Sequence, residues 1–95
     1  MKIYISGAIS NTDDYMERFA KAEKELNKQG YSVVNPAKVN AQLPEDTTYE
    51  EYMKMSFCML DMCVAIYMLD GFEKSCGANR ELDYAIAKDM IIMYE

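Results

Sequence analysis

The densest concentration of residues able to do chemistry runs Leu69-Asp70-Gly71-Phe72-Glu73-Lys74-Ser75-Cys76-Gly77-Ala78-Asn79-Arg80-Glu81. Ser75-Cys76-Gly77 has the form of a helix opening, where backbone N–H groups and a serine hydroxyl make an anion cradle reinforced by the helix dipole. A plain capping serine is the other use of Ser75. Glu81 falls one turn into that helix, on the column of Gly77, Ala78 and Ala85, the apolar edge rather than the solvated face. A carboxylate near a helix N-terminus tends to stay ionised, and an ionised, partly desolvated glutamate is a nucleophile toward an electrophilic sugar carbon. An ion pair with Arg80 or Lys88 is the alternative. Asp70 closes the preceding strand and can face Glu81 across a crevice, which gives the two-carboxylate pattern of glycosyl chemistry; taken alone it is a turn residue.

Other chemistries are excluded by what the chain lacks. It has no histidine, so imidazole triads and histidine metal sites are ruled out, and acid–base work falls to carboxylates, Tyr, Cys or Lys. The scattered Asp and Glu show no metal-ligand spacing, and no cofactor is expected. Sixteen acidic against ten basic residues give a net charge of −6, a poor footprint for gripping phosphate backbones, so nucleic acid is not an expected partner. The three cysteines, Cys58, Cys63 and Cys76, form neither an even framework nor a C-x-x-C pair and are expected as small buried hydrophobes. Cys76 stands apart from them because it adjoins the anion-ready helix start. No apolar stretch resembles a signal core or a membrane span, so a reducing cytoplasm is the expected location.

The elements that must position these residues follow from periodicity. With 95 residues, 51% hydrophobic and 27% charged, the chain is expected to form one domain over residues 1–95 with an ordinary packed core. Residues 2–6 (KIYIS) form a short β-branched and aromatic run ending at Gly7, the pattern of a buried strand and a turn. Tyr15, Phe19, Ala22 and Leu26 then recur at helical spacing up to Gly30, with Asn11 or Thr12 as cap and Asp13 and Asp14 in the first turn. Residues 31–34 read as a second strand closed by Asn35-Pro36, and residues 37–46 as a loop. Thr48 and Glu51 fit a capping box ahead of an apolar helix to Met62. A strand over 64–69, a helix over 77–88 with an inner stripe of Ala78, Leu82, Ala85 and Ile86, and a last strand over 90–94 complete the chain.

Crossovers too long for hairpins predict an α/β fold: a four-stranded parallel sheet of order 2-1-3-4 in a three-layer sandwich, helices on both faces. Its switch point lies between the first and third strands, where the loops 7–11 and 70–77 emerge and where ligands of open α/β sheets bind. The 48–62 helix is apolar beyond a single stripe. Tyr49, Tyr52, Met53, Leu60 and Cys63 make one face and Met55, Met59 and Met62 another, so a homo-oligomer built on this helix is expected.

Three blocks together resemble a known group: Lys2-Ile3-Tyr4-Ile5-Ser6-Gly7-Ala8-Ile9, Val33-Val34-Asn35-Pro36-Ala37, and Leu69-Asp70-Gly71 followed by Ser75-x-Gly77-x-x-x-Glu81-x-x-x-Ala85. The chain looks like the nucleoside 2-deoxyribosyltransferase superfamily, and within it like the small bacterial and phage DUF4406 branch. The resemblance implies a shortened flavodoxin-like fold and cleavage or transfer at the N-glycosidic bond of a 2′-deoxynucleoside or its 5′-monophosphate. It also implies Glu81 as nucleophile, Asp70 as the acid beside the base and Tyr4 as a tyrosine near the sugar. Ser75 and Gly77 match a 5′-phosphate loop, and Ser6, Gly7 and Asn35 are further expected substrate contacts. The chain departs from characterised transferases at Asp83, where a glycine is usual, and from many relatives at Val64 and Ala8. A noncatalytic nucleotide-binding module and a subunit of a phage or bacterial assembly are the competing readings, since the same loop can hold a nucleotide without turning it over.

Overall fold

The alternation of strand β1 (Lys2–Ser6) sorts the molecule into its layers. In the computed structural model, which describes residues 1–9 and 13–95, Ile3 and Ile5 are buried against Phe19, Ala22 and Leu26 of helix α1 (Tyr15–Lys28). Tyr4, on the opposite face, joins a second core with Met59, Leu60, Ile66, Ala78 and Ala85. This two-sided burial is what a central parallel strand requires. Strands β2 (Ser32–Val34), β3 (Ala65–Met68) and β4 (Ile91–Tyr94) complete one sheet of order β2-β1-β3-β4. Every pairing is parallel, and Tyr4 sits between Val34 and Ile66. The predicted order and the helices on both faces are therefore present.

Helix α3 (Tyr49–Asp61) starts at the expected capping box: the Glu51 N–H donates to Thr48 Oγ1 at 3.1 Å and the Thr48 N–H to Glu51 Oε1 at 2.8 Å. Helix α4 (Cys76–Ala87) packs beside it. Phe57 stacks on Tyr84 with ring centroids 4.6 Å apart, and the Tyr84 hydroxyl donates to Asp61 at 2.7 Å. Here the expected division of the helix into two apolar faces gives way. Met59 is buried and Met55 half-buried in the core shared with α4, while Tyr49, expected on the face of Met53 and Leu60, is exposed. Of the face expected to meet a second copy, Met59 is packed into the chain's own core, Met55 is half-buried and Met62 is exposed.

Four local expectations are corrected. Residues 36–40 form a short helix α2 (Pro36–Asn40) instead of loop, because Asn35 caps it and Pro36 occupies its first turn. Helix α1 begins at Tyr15, so Asp13 and Asp14 precede it and Glu17 is the acidic residue of its first turn; the caps expected at Asn11 or Thr12 lie outside the described residues. Ile86 is exposed, since the inner edge of α4 runs Ala78, Glu81, Ala85. Of the cysteines only Cys63 is buried. Among the described residues no helix is long and apolar enough to cross a membrane.

Candidate active site

Glu81 is the center of a polar cluster assembled from three elements. Alternation places Tyr4 and Ser6 on the face of β1 turned to α3 and α4, and the i, i+3 and i+4 spacing of Ala78, Glu81 and Ala85 turns Glu81 back toward that strand. Tyr4 Oη donates to Glu81 Oε2 and Ser6 Oγ donates to Glu81 Oε1, both at 2.6 Å. These are the short lengths of hydroxyls bonded to a charged acceptor. Tyr4 and Ser6 are fully buried and Glu81 is 8% exposed. Ser56 of α3 is buried beside them, and its hydroxyl favours the ionised form of both Glu81 and Tyr4.

Burial, rather than the helix start, sets the direction in which the Glu81 pKa moves. Burial raises its pKa, and the hydrogen bonds from Ser6, Tyr4 and Ser56 oppose that rise without overcoming it. Tyr4 is raised well above its ordinary value, first by burial and then by the neighbouring Glu81 charge, so it stays a proton donor to the carboxylate. The ion pairs considered for Glu81 are not formed. Arg80 grips Glu50 at 3.0 and 3.3 Å and lies over the rings of Tyr49 and Phe57, while Lys88 lies over Tyr84.

A cavity of about 280 Å³ opens beside this cluster at the carboxyl end of β1, between the loop after β1, the start of α4 and the segment that follows β2. Tyr4, Gly7, Ser75, Gly77 and Glu81 line it from β1, its following loop and α4. Residues that sequence reasoning did not assign, Tyr15, Asn40, Tyr52, Met53 and Ser56, line it from α1, α2 and α3. Ser56 was findable: it is the one polar residue on the stripe Met53, Ser56, Leu60 that α3 buries.

At the helix start, Ser75 Oγ accepts from the Ala78 N–H at 3.1 Å, and the N–H groups of Cys76 and Gly77 have no partner among the described residues. The serine is therefore a cap whose own O–H is still able to donate, next to two unpaired amides. A Cβ on Gly77 would meet Met53 Sδ at 3.6 Å and Tyr49 Oη at 3.7 Å, ordinary contacts, so the absent side chain leaves cavity space open. Gly7 differs: its Cβ would lie 2.9 Å from Leu69 Cδ1, and close packing of the two loops accounts for the glycine.

Three predicted site residues do not line the cavity: Ser6 is fully buried and reaches it only through Glu81, and two stand elsewhere. Asp70 is exposed and does not line the cavity; its carbonyl accepts from Arg18 at 2.5 Å and its N–H donates to Glu95 at 2.8 Å. The only carboxylate lining the cavity among the described residues is Glu81, so the facing pair of carboxylates is not formed. Asn35 is buried in the scaffold. Its Oδ1 accepts from the Ala37 N–H and its Nδ2 donates to Glu23, each at 3.0 Å, which ties α2 to α1.

A family profile described as a domain of unknown function, DUF4406, matches residues 1–94. Comparison with curated proteins finds no match. Among solved structures, the fold is similar to that of a 2-deoxyribosyltransferase from the psychrotolerant bacterium Bacillus psychrosaccharolyticus. The TM-score is 0.78 at 19% sequence identity, over 99% of this chain and 71% of that one. The likeness is one of fold.

Proposed function

The chain belongs to the DUF4406 family, and we propose that it cleaves or transfers at the N-glycosidic bond of a 2′-deoxynucleoside or its 5′-monophosphate. One observation carries this reading: a buried carboxylate, held by two 2.6 Å hydrogen bonds, lines a cavity that also holds an unpaired helix start. Ionised Glu81 attacks the anomeric carbon, the bond from that carbon to the base nitrogen breaks, and its electron pair leaves on the base. The result is a glycosyl ester on Glu81, which water or a second base then displaces. Tyr4 and Ser6 fix the carboxylate and stabilise its charge before attack, while Ser75 with the amides of Cys76 and Gly77 receives the 5′-phosphate.

Incubation of the purified protein with each deoxynucleoside and deoxynucleoside monophosphate, followed by chromatography, tests the reading directly. Release of free base supports it, and a new nucleoside in the presence of a second base identifies transfer. Saturable binding without base release would instead favour the noncatalytic nucleotide-binding module.

The phosphate assignment has its own test. Ser75→Ala is expected to weaken monophosphate binding about tenfold while changing nucleoside binding far less, because only the phosphate uses the hydroxyl. The variant also loses a cap, at about 1 kcal/mol of stability, so calorimetric titrations belong well below its Tm. Equal losses for both ligands would reduce Ser75 to a structural cap.

A further inference from the structure

The titratable side chains that line the cavity are Glu81 and the phenols Tyr4, Tyr15, Tyr49 and Tyr52. Glycosyl chemistry ordinarily pairs its nucleophile with a second carboxyl group that hands a proton to the departing atom, an effect of about 10²–10⁴-fold in rate. No second carboxyl group among the described residues is placed to give it. Glu81 attacks, and as an ester it has no proton to pass on. Tyr4 directs its proton to Glu81 Oε2 at 2.6 Å, and burial with the Glu81 charge holds its pKa well above the ordinary value. Burial raises the pKa of Tyr49 as well. Asp13, Asp14 and Asp70 are exposed and line no part of the cavity, and residues 10–12 are Ser, Asn and Thr, which carry no acid. What remains is phenol, an acid of ordinary pKa about 10 and a weak donor at neutral pH.

We infer that the leaving group departs from this cavity as an anion, with no proton from the protein, and that the substrates are deoxyribosides of bases acidic enough to carry that charge. The inference rests on the glycosidic reading above and adds the class of leaving group. The bond from a Glu81 carboxylate oxygen to the anomeric carbon forms as the bond from that carbon to the base nitrogen breaks. The electron pair stays on the nitrogen, and water protonates the base after release. One negative charge is present before and after the step, moved from Glu81 to the base, so the rate follows how well the base holds it. Electron-poor pyrimidines hold it best: a halogen at C5 of uracil withdraws charge from the ring, and a methyl group there supplies it.

The test measures base release from 2′-deoxyuridine and its 5-fluoro, 5-bromo and 5-methyl derivatives by wild type and by Tyr15→Phe, Tyr49→Phe and Tyr52→Phe. Bromine and methyl are alike in size, so a gap between those two compounds is electronic rather than steric. In wild type, kcat/KM for the 5-bromo compound is expected to exceed that for the 5-methyl compound at least tenfold, with the 5-fluoro compound also fast and the unsubstituted one between. Each Phe variant is expected to keep that ratio within threefold, whatever its absolute rate, because loss of packing slows all four compounds alike. A wild-type ratio short of tenfold means that a donor assists the departing base, and it overturns the inference while leaving the glycosidic reading intact. A ratio that grows beyond threefold in one Phe variant identifies that phenol as the acid and overturns it as well. Wild type that releases no base from any of the four overturns the glycosidic reading and this inference with it.

Discussion

Glu81→Gln is expected to abolish glycosidic cleavage, by a factor of about 10³ or more in kcat, in a protein that remains folded. The amide keeps the shape of the carboxyl group and still accepts from a hydroxyl on one side, but it lacks the charge that attacks the anomeric carbon. The thermodynamic signature is opposite in sign to the kinetic one. Burial raises the Glu81 pKa in the folded state, so the native protein holds this proton more tightly than the unfolded chain, whose glutamates titrate near about pH 4.3. The group's contribution to stability is fully present below that unfolded value and is lost as pH rises through the folded one. Glu81→Gln removes this dependence, so its stability relative to wild type is expected to increase from acid to neutral pH. Urea unfolding across that range, read beside base-release assays, checks both halves. A folded Gln variant with full activity would refute the nucleophile assignment, and a variant that tracks wild-type stability at every pH would refute the buried charge.

Tyr4→Phe is expected to lower kcat/KM at neutral pH by about 10–100-fold, the equivalent of a hydrogen bond to a charged acceptor of about 1.5–3 kcal/mol. The cause is indirect. Tyr4 Oη donates to Glu81 Oε2 at 2.6 Å and favours the ionised carboxylate against the burial that raises its pKa. Without that donor the Glu81 pKa climbs further, so the acid limb of the rate profile moves to higher pH and activity partly returns as the medium becomes more alkaline. A general loss of packing would lower the whole profile without moving its limb, which makes the limb the decisive reading. Tyr4 itself stays protonated throughout because burial and the Glu81 charge hold its pKa well above the ordinary tyrosine value.

The sequence by itself determined whatever depends on spacing within one element. The alternation of KIYIS set which residues of β1 face which layer, and the Thr48 and Glu51 box set the start of α3. The position of Glu81 between Gly77 and Ala85 put a carboxylate on the inner edge of α4. Each is a periodicity of 2.0 or 3.6 acting over a few residues. The long crossovers then restricted the sheet to a parallel order with its switch point beside β1. What only the tertiary structure decided is what surrounds those residues. Tyr4 and Ser6 meet Glu81 across more than seventy intervening residues, and nothing local to β1 or α4 specifies that contact. The direction of the Glu81 pKa could not be read from the helix start, because that effect is local, whereas the desolvation opposing it comes from neighbouring elements packed over the group. Asp70 and Asn35 lie in the expected loops, but the Asp70 backbone bonds to Arg18 and Glu95 and the Asn35 side chain bonds to Glu23 and the start of α2, and neither residue lines the cavity. Ser56 was legible as the one polar residue on the stripe that α3 buries, but it and Asn40 became part of a site only through the packing of α3 and α2, because a polar side chain becomes a site through the space it faces, and that space is made by distant elements.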